Sequence, residues 1–134
     1  MKWKLVLLLA AFGVVMGLAS VLGWTAGIEL WLWLAIAVIC IIVLLRLAPA
    51  KLWLHCFFVG LIGGGVAPVI QFALFASYVA NNPELQQEFA QLPGWLEPRY
   101  FVLLLAPVAG LASGGVLAVG GLVAAKTADA LRRR

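Results

Sequence analysis

Charged residues are scarce in this chain. They make up 10% of its 134 residues, whereas 66% are hydrophobic; soluble domains carry about 25% charged residues. A soluble fold of this size leaves about a third of its unfolded surface wet, so it could not hide so much apolar surface. The composition excludes an ordinary soluble domain and predicts a protein whose solvent is lipid.

Acidic residues, histidine and cysteine are also rare, which narrows the possible chemistry. The chain has five acidic residues, one histidine and two cysteines. His55 and Cys56 are adjacent and point to different sides of a helix, and no carboxylate is placed to complete a metal site with them. Since no acid lies at membrane depth, a serine–histidine–acid arrangement cannot be built. We therefore expect no metal, no cofactor and no catalytic site.

The apolar residues form four long runs, at about residues 5–22, 30–47, 52–79 and 100–125. Each is long enough for a spanning helix of about 20 residues. Only helices or closed barrels satisfy their backbone in lipid, and these runs lack the polar–apolar alternation of barrel strands. The sequence predicts an all-α integral membrane bundle of four transmembrane helices, forming one domain over residues 1–134. The first run also has features of a secretory signal peptide, and we interpret it as a retained helix.

Basic residues and tryptophans mark the ends of these runs. Eight of the nine lysines and arginines flank the chain ends or the second connection, and only Arg99 belongs to the other two loops. By the positive-inside rule both termini lie in the cytoplasm, and we expect a bacterial cytoplasmic (inner) membrane. Charges at helix ends rather than in a patch argue against a nucleic-acid partner. All six tryptophans fall at or within one turn of a predicted helix end, where indole prefers the headgroup layer.

The outer loop, residues 80–99, is predicted to contain a short interfacial helix. Asn82 suits its N-cap and Pro83 its first position. Apolar residues then recur at helical spacing at Leu85, Phe89 and Leu92. This helix would lie on the bundle or the headgroups, or else act as a lid or partner-docking element.

Small residues recur on one face of three of the runs. In lipid, helices associate through close backbone packing that such residues permit. We expect the first, third and fourth helices to pack tightly, and the bulkier second helix to lie against lipid or another subunit. The faces comprise Ala10, Gly13, Gly17 and Ser20; Gly60, Gly64, Ala67 and Gln71; and Ala106, Gly110, Gly114, Gly121 and Ala125.

Glycine and proline interrupt the third and fourth runs. Gly63–Gly65 and Pro68 lie in the third run, whose 28 residues would span about 42 Å against a core of about 30 Å. Pro107 and Gly114 lie in the fourth. These residues indicate either kinks, which are common in membrane helices, or a broken-helix transport site.

Three polar side chains fall within the apolar runs. Gln71 should lie at the depth of Pro107, and we expect its amide to donate to the carbonyl of Leu103, which that proline leaves unpaired; a substrate-facing Gln71 is the alternative. Ser113 is expected to bond its own helix backbone. His55 is expected to reach toward the interface, with a proton relay as the alternative.

The leading functional hypothesis is a non-enzymatic accessory or assembly subunit. Its partners would be the lipid bilayer and either a second copy or a larger membrane protein. The alternative is a small channel or transporter for a neutral or apolar solute; an enzyme would need an acid or metal beside His55. The candidate intramembrane polar and packing positions are Gln71, Ser113, His55, Pro68, Pro107, Gly64, Gly110 and Gly114.

Overall fold

The computed structural model describes residues 1–48 and 50–133. Pro49, which the sequence assigns to the break after the second run, and Arg134, one of its eight topology charges, lie outside the described residues. The described part of the chain is helical and contains no strand. Its helices are α1 (Trp3–Ala10), α2 (Phe12–Val21), α3 (Glu29–Leu47), α4 (Leu52–Ala73), α5 (Phe75–Asn81), α6 (Glu84–Phe89) and α7 (Pro98–Arg132).

Among the described residues, four helical stretches are long and apolar enough to cross a membrane. They are Trp3–Val21, in which α1 and α2 follow one another at Ala11, and the helices α3, α4 and α7. Their ends lie close to those predicted, apart from two differences. The third helix is shorter and the fourth continues to Arg132.

α4 lies at the centre, with α1 and α2 on one side and α7 on the other. A Cβ atom built on Gly63 would lie 3.3 Å from the carbonyl oxygen of Ala10, in α1. One built on Gly64 would lie 2.5 Å from the Ser113 hydroxyl, in α7. Successive glycines thus face opposite neighbours, so the triplet allows close packing on both sides of α4.

The interface between α4 and α7 brings the two backbones into contact. A Cβ atom on Gly60 would lie 2.5 Å from the carbonyl oxygen of Ser113, and one on Gly110 would lie 2.6 Å from that of Leu61. Neither position has room for a side chain without movement of the neighbouring helix. The predicted tight packing of the first, third and fourth helices is confirmed.

α3 packs at the edge of the bundle. Only 11% of its most apolar window is buried inside the protein, against 44% for Trp3–Val21 and 39% for α4. The prediction that the second helix is the most exposed is confirmed. Cys40 and Leu44 are its buried residues, and they join a core cluster with Cys56. Both cysteines are free.

The third helix ends at a place that the sequence does not mark. α4 runs unbroken through Gly63–Gly65 and Pro68, and α7 runs unbroken through Pro107. The break lies at Leu74, whose φ of −108° and ψ of 35° leave the helical region. The predicted helix over residues 52–79 is therefore two helices, with α5 folded toward α2.

The predicted short helix is present as α6, but Asn82 does not cap it. No side chain caps its N-terminus. The Asn82 side-chain amide instead donates to the carbonyls of Ser20 (2.9 Å) and Tyr78 (2.8 Å). Asn82 is buried between α2 and α5, because it serves this longer-range contact rather than the local cap.

Two ends of the bundle can be distinguished by their contacts. At the terminal end, Lys2 contacts Leu47 and His55, and Gly121 packs on Trp53. At the loop end lie the C-termini of α2 and α4 together with α5. α7 continues for about three turns past Gly121, so its last part projects beyond the terminal end.

Candidate functional site

A groove opens between α3, α4 and α7. Its volume is about 430 Å³, and it runs from Glu29, at the start of α3, to Leu117, in the second half of α7. Trp33, Leu30 and Leu34 of α3 form one wall. Its floor consists mainly of small residues: Gly64, Ala67, Pro68, Ala109, Ala112 and Ser113.

Half of the candidate positions predicted from the sequence meet in this groove. Gly64, Pro68, Gln71 and Ser113 all line it. Gly110 and Gly114 are buried against α4, so they pack the two helices that carry the floor. The remaining two lie elsewhere, since Pro107 is exposed on α7 and His55 is at the terminal end.

Gln71 has a different partner from the one predicted. Its side-chain amide donates to the Ser20 hydroxyl at 2.9 Å, in α2, and not to the carbonyl of Leu103. Ala67, one turn earlier, contacts Gly17, which places Gln71 on the α4 face that meets α2. The prediction of a bond to α7 is wrong because it considered depth and not the direction of that face.

Ser113 also departs from its prediction. Among the described residues its hydroxyl makes no hydrogen bond to its own helix. Its side chain instead packs against Gly64, at the closest approach of α4 and α7. An extra methyl on Gly64 would collide with this hydroxyl, so Ser113 and Gly64 are a matched packing pair at the groove floor.

A polar cluster closes the loop end of the bundle beside the groove. Besides Gln71, it contains Ser20, Tyr78, Asn81 and Asn82; Asn81 donates to the carbonyl of Val21 at 2.9 Å. Burial, together with the nearby carboxylate of Glu29, raises the pKa of Tyr78 to about 12. The sequence predicts a packing face at Ser20 and a helix cap at Asn82, and no local pattern indicates that these two residues meet.

His55 is buried at the terminal end, and its predicted reach toward the interface stays a prediction. Its Nε2 accepts the backbone N–H of Lys2 at 3.0 Å, so Nδ1 carries the ring hydrogen and donates to the carbonyl of Lys51 at 3.1 Å. The ring is 4% exposed. Both nitrogens serve the backbone, and the histidine joins the start of α1 to the start of α4.

Arg99 supports the loop end from the start of α7. Its Nε donates to the carbonyl of Phe72 at 3.3 Å, and its guanidinium lies 4.6 Å from the centre of the Phe72 ring. Phe72 is in the last turn of α4, where carbonyls lack helical partners. The single basic residue that the sequence assigned to the outer loops thus caps a helix.

No family model matches the chain, and no curated protein or solved structure matches it significantly. The geometry is therefore the whole basis for a functional argument. Within residues 1–48 and 50–133, no group of three His, Cys, Asp or Glu side chains is placed to hold a metal ion. What the groove offers is an apolar surface with Gln71 and Ser113 on its lining and Glu29 at its edge.

Proposed function

We propose that this protein is a non-enzymatic accessory subunit of the bacterial cytoplasmic membrane that associates with a second copy of itself. The observation that carries the proposal is a ridge of large side chains directly beside a groove with a small-residue floor. We define the ridge as Leu30, Leu34 and Val38, which follow one another at four-residue spacing along α3 and are 67%, 44% and 56% exposed.

In the proposed dimer, the ridge of one copy fills the groove of the other. Two of the ridge residues, Leu30 and Leu34, form the wall of the groove, so ridge and groove share one surface. A two-fold axis brings the same patch of both copies together, so the patch must fit itself. Rotation about such an axis would place the ridge of each copy in the groove of the other, against glycine and alanine surfaces of the kind that membrane helices use to associate.

The orientation with both termini in the cytoplasm is part of the proposal. Lys2, Lys51 and the projecting part of α7 share the terminal end, and Arg99 is at the loop end. Lysine and arginine concentrate on the cytoplasmic side of membrane proteins. This asymmetry supports a cytoplasmic terminal end.

The test fills the groove without changing the ridge. Ala112→Leu adds a large side chain on the floor, whereas Ala35→Leu makes the same change on an exposed part of α3 that does not line the groove. We expect wild type and Ala35→Leu to be dimeric in lipid nanodiscs and Ala112→Leu to be monomeric. A wild-type protein that stays monomeric in nanodiscs at membrane densities would contradict self-association.

A small channel or transporter for a neutral or apolar solute is the second candidate. Two features of the groove favour it. Gln71 and Ser113 place polar side chains on the lining, and Glu29 places a carboxylate at the edge of the groove. The thiol reactivity of a Ser113→Cys variant, made in a Cys40→Ala/Cys56→Ala background, distinguishes the two functions. Reaction with a water-soluble thiol reagent, together with solute uptake into proteoliposomes, would support transport, and protection of Ser113→Cys in the dimer would support the subunit function.

A further inference from the structure

A second cavity lies at the terminal end of the bundle, whereas the polar cluster lies at the loop end. Its volume is about 460 Å³, and it lies where the starts of α1 and α4 meet the end of α3. Two lysines, Lys2 and Lys51, are among the residues that line it. The others are Met1, Ala48, Ala50, Leu54 and His55.

The positions of the two lysines are fixed by the fold. The backbone N–H of Lys2 and the carbonyl of Lys51 bond the two nitrogens of the buried His55 ring. Lys51 adopts a left-handed conformation, with φ 53° and ψ 42°, directly before α4. Among the lining residues, Lys2 and Lys51 carry positively charged side chains, and the Lys2 ammonium also donates to the carbonyl of Leu47.

The local charge favours an anion. No side chain of the described residues caps the N-terminus of α4, so its first N–H groups and the positive end of its dipole adjoin Lys51. Four of the five acidic residues of the chain, Glu29, Glu84, Glu88 and Glu97, belong to α3's first turn or to the segment from α6 to the start of α7, at the loop end. The cavity therefore has two lysines and a helix N-terminus. The fifth acidic residue, Asp129, lies at the same end of the bundle, on the projecting part of α7.

The other lining residues, and the position of the cavity along the bundle axis, favour an amphiphilic ligand. Ala48, Ala50 and Leu54 give the cavity an apolar wall beside the two lysines. Trp3 and Trp53, in the first turns of α1 and α4, are 49% and 46% exposed. Half-exposed tryptophans at helix ends mark the headgroup layer. A ligand here would meet lysines on its polar side and apolar surface on the side toward the hydrocarbon.

We propose that this cavity binds the phosphate headgroup of an anionic phospholipid, with Lys2 and Lys51 contacting the phosphate. Basic pockets between membrane helices on the cytoplasmic side bind acidic headgroups in this way. The proposal does not depend on self-association, because the cavity and the groove between α3, α4 and α7 share no lining residue.

Native mass spectrometry of the protein, released from nanodiscs that contain equal amounts of phosphatidylglycerol and phosphatidylcholine, tests the proposal. We expect wild type to retain phosphatidylglycerol in preference to phosphatidylcholine. Lys2→Gln/Lys51→Gln should weaken this retention by roughly fivefold for each lysine, given about 1 kcal/mol per basic residue. Lys126→Gln/Arg132→Gln removes the same charge from the projecting part of α7 and should leave retention unchanged.

Two further experiments separate specific lipid binding from other effects. Lys2→Arg/Lys51→Arg keeps both cations and should retain the lipid, which separates loss of charge from loss of folding. Inorganic phosphate, added at the lipid's concentration, should not displace it, because the apolar wall contributes to binding. Equal loss in both glutamine pairs, equal retention of the two lipids, loss in the arginine pair, or displacement by inorganic phosphate would each overturn the assignment.

Discussion

Gln71 and Ser20 are joined by a hydrogen bond of 2.9 Å, although 51 residues separate them along the chain. Both side chains are buried, Gln71 at 9% and Ser20 at 3% exposure. The bond ties the last turn of α4 to the C-terminal end of α2. It also holds the Gln71 side chain, which lines the groove.

Replacing Gln71 should destabilise the protein. Gln71→Leu removes the donor and leaves the Ser20 hydroxyl without this partner in a buried site, which should cost about 1 kcal/mol. Thermal unfolding in detergent measures the effect, and Gln86→Leu, on the exposed face of α6, is the matched control. A double-mutant cycle with Ser20→Ala should give a coupling of about 0.6 kcal/mol or more; additive effects would show that the bond contributes nothing to stability.

The two-sided packing of α4 predicts a sharp contrast between glycines. A Cβ atom on Gly60 would lie 2.5 Å from the Ser113 carbonyl oxygen, whereas one on Gly115 would meet nothing within 4 Å. Gly60→Ala should therefore push α4 and α7 apart, at a cost of about 1–3 kcal/mol. Gly115→Ala should be neutral or stabilising by up to about 1 kcal/mol, since alanine favours helix. Similar unfolding midpoints for the two variants would disprove the close approach.

Asn82 should hold the segment from α5 to α6 against the bundle. Its amide donates to two carbonyls, and Asn82→Asp keeps the shape of the side chain while removing both donors. We expect faster amide hydrogen exchange over residues 75–89 and faster proteolysis within α6. Gln87→Glu makes the same amide-to-acid change at an exposed position of α6 and should leave both rates unchanged; if it accelerates them as much, the Asn82 contact is not responsible.

The proposed orientation predicts which positions an impermeant thiol reagent can reach in intact cells. The two native cysteines are buried, so labelling will report an introduced cysteine. Gln86→Cys, in α6, should react from outside, whereas Lys4→Cys and Lys126→Cys should react only after the membrane is opened. Reaction of Lys4→Cys and Lys126→Cys on opposite sides would rule out an even number of crossings.

The number and approximate ends of the long helices could be predicted, because length and hydropathy alone decide what can cross lipid. The function of Gly63–Gly65 could not. Its composition indicates a kink or a break, whereas in the structure it lets α4 contact Ala10 on one side and Ser113 on the other. Local sequence shows that a helix has faces lined by small residues, but it does not show how many neighbouring helices those faces contact.

The break at Leu74 and the partner of Gln71 depend on contacts that are distant along the chain. Neither glycine nor proline marks Leu74, and the segment that follows is tied to α2 by Asn81 and Asn82, across 60 and 62 residues. The sequence does not predict the groove, because its walls come from three separate helices, although four of the candidate positions line it. Ser20 carries no local signal that distinguishes a hydrogen-bond partner from a packing residue.

The projecting end of α7 extends a fixed distance beyond the level at which α4 begins. From Gly121, which packs on Trp53, the helix continues to Arg132, about 16 Å further along its axis. A continuous helix resists bending, so Lys126 and Arg132 stand at fixed heights above the level at which α4 begins. Any soluble body that docks on this stalk would be held clear of the headgroups by roughly three turns of helix, and deleting one turn would lower it by about 5 Å.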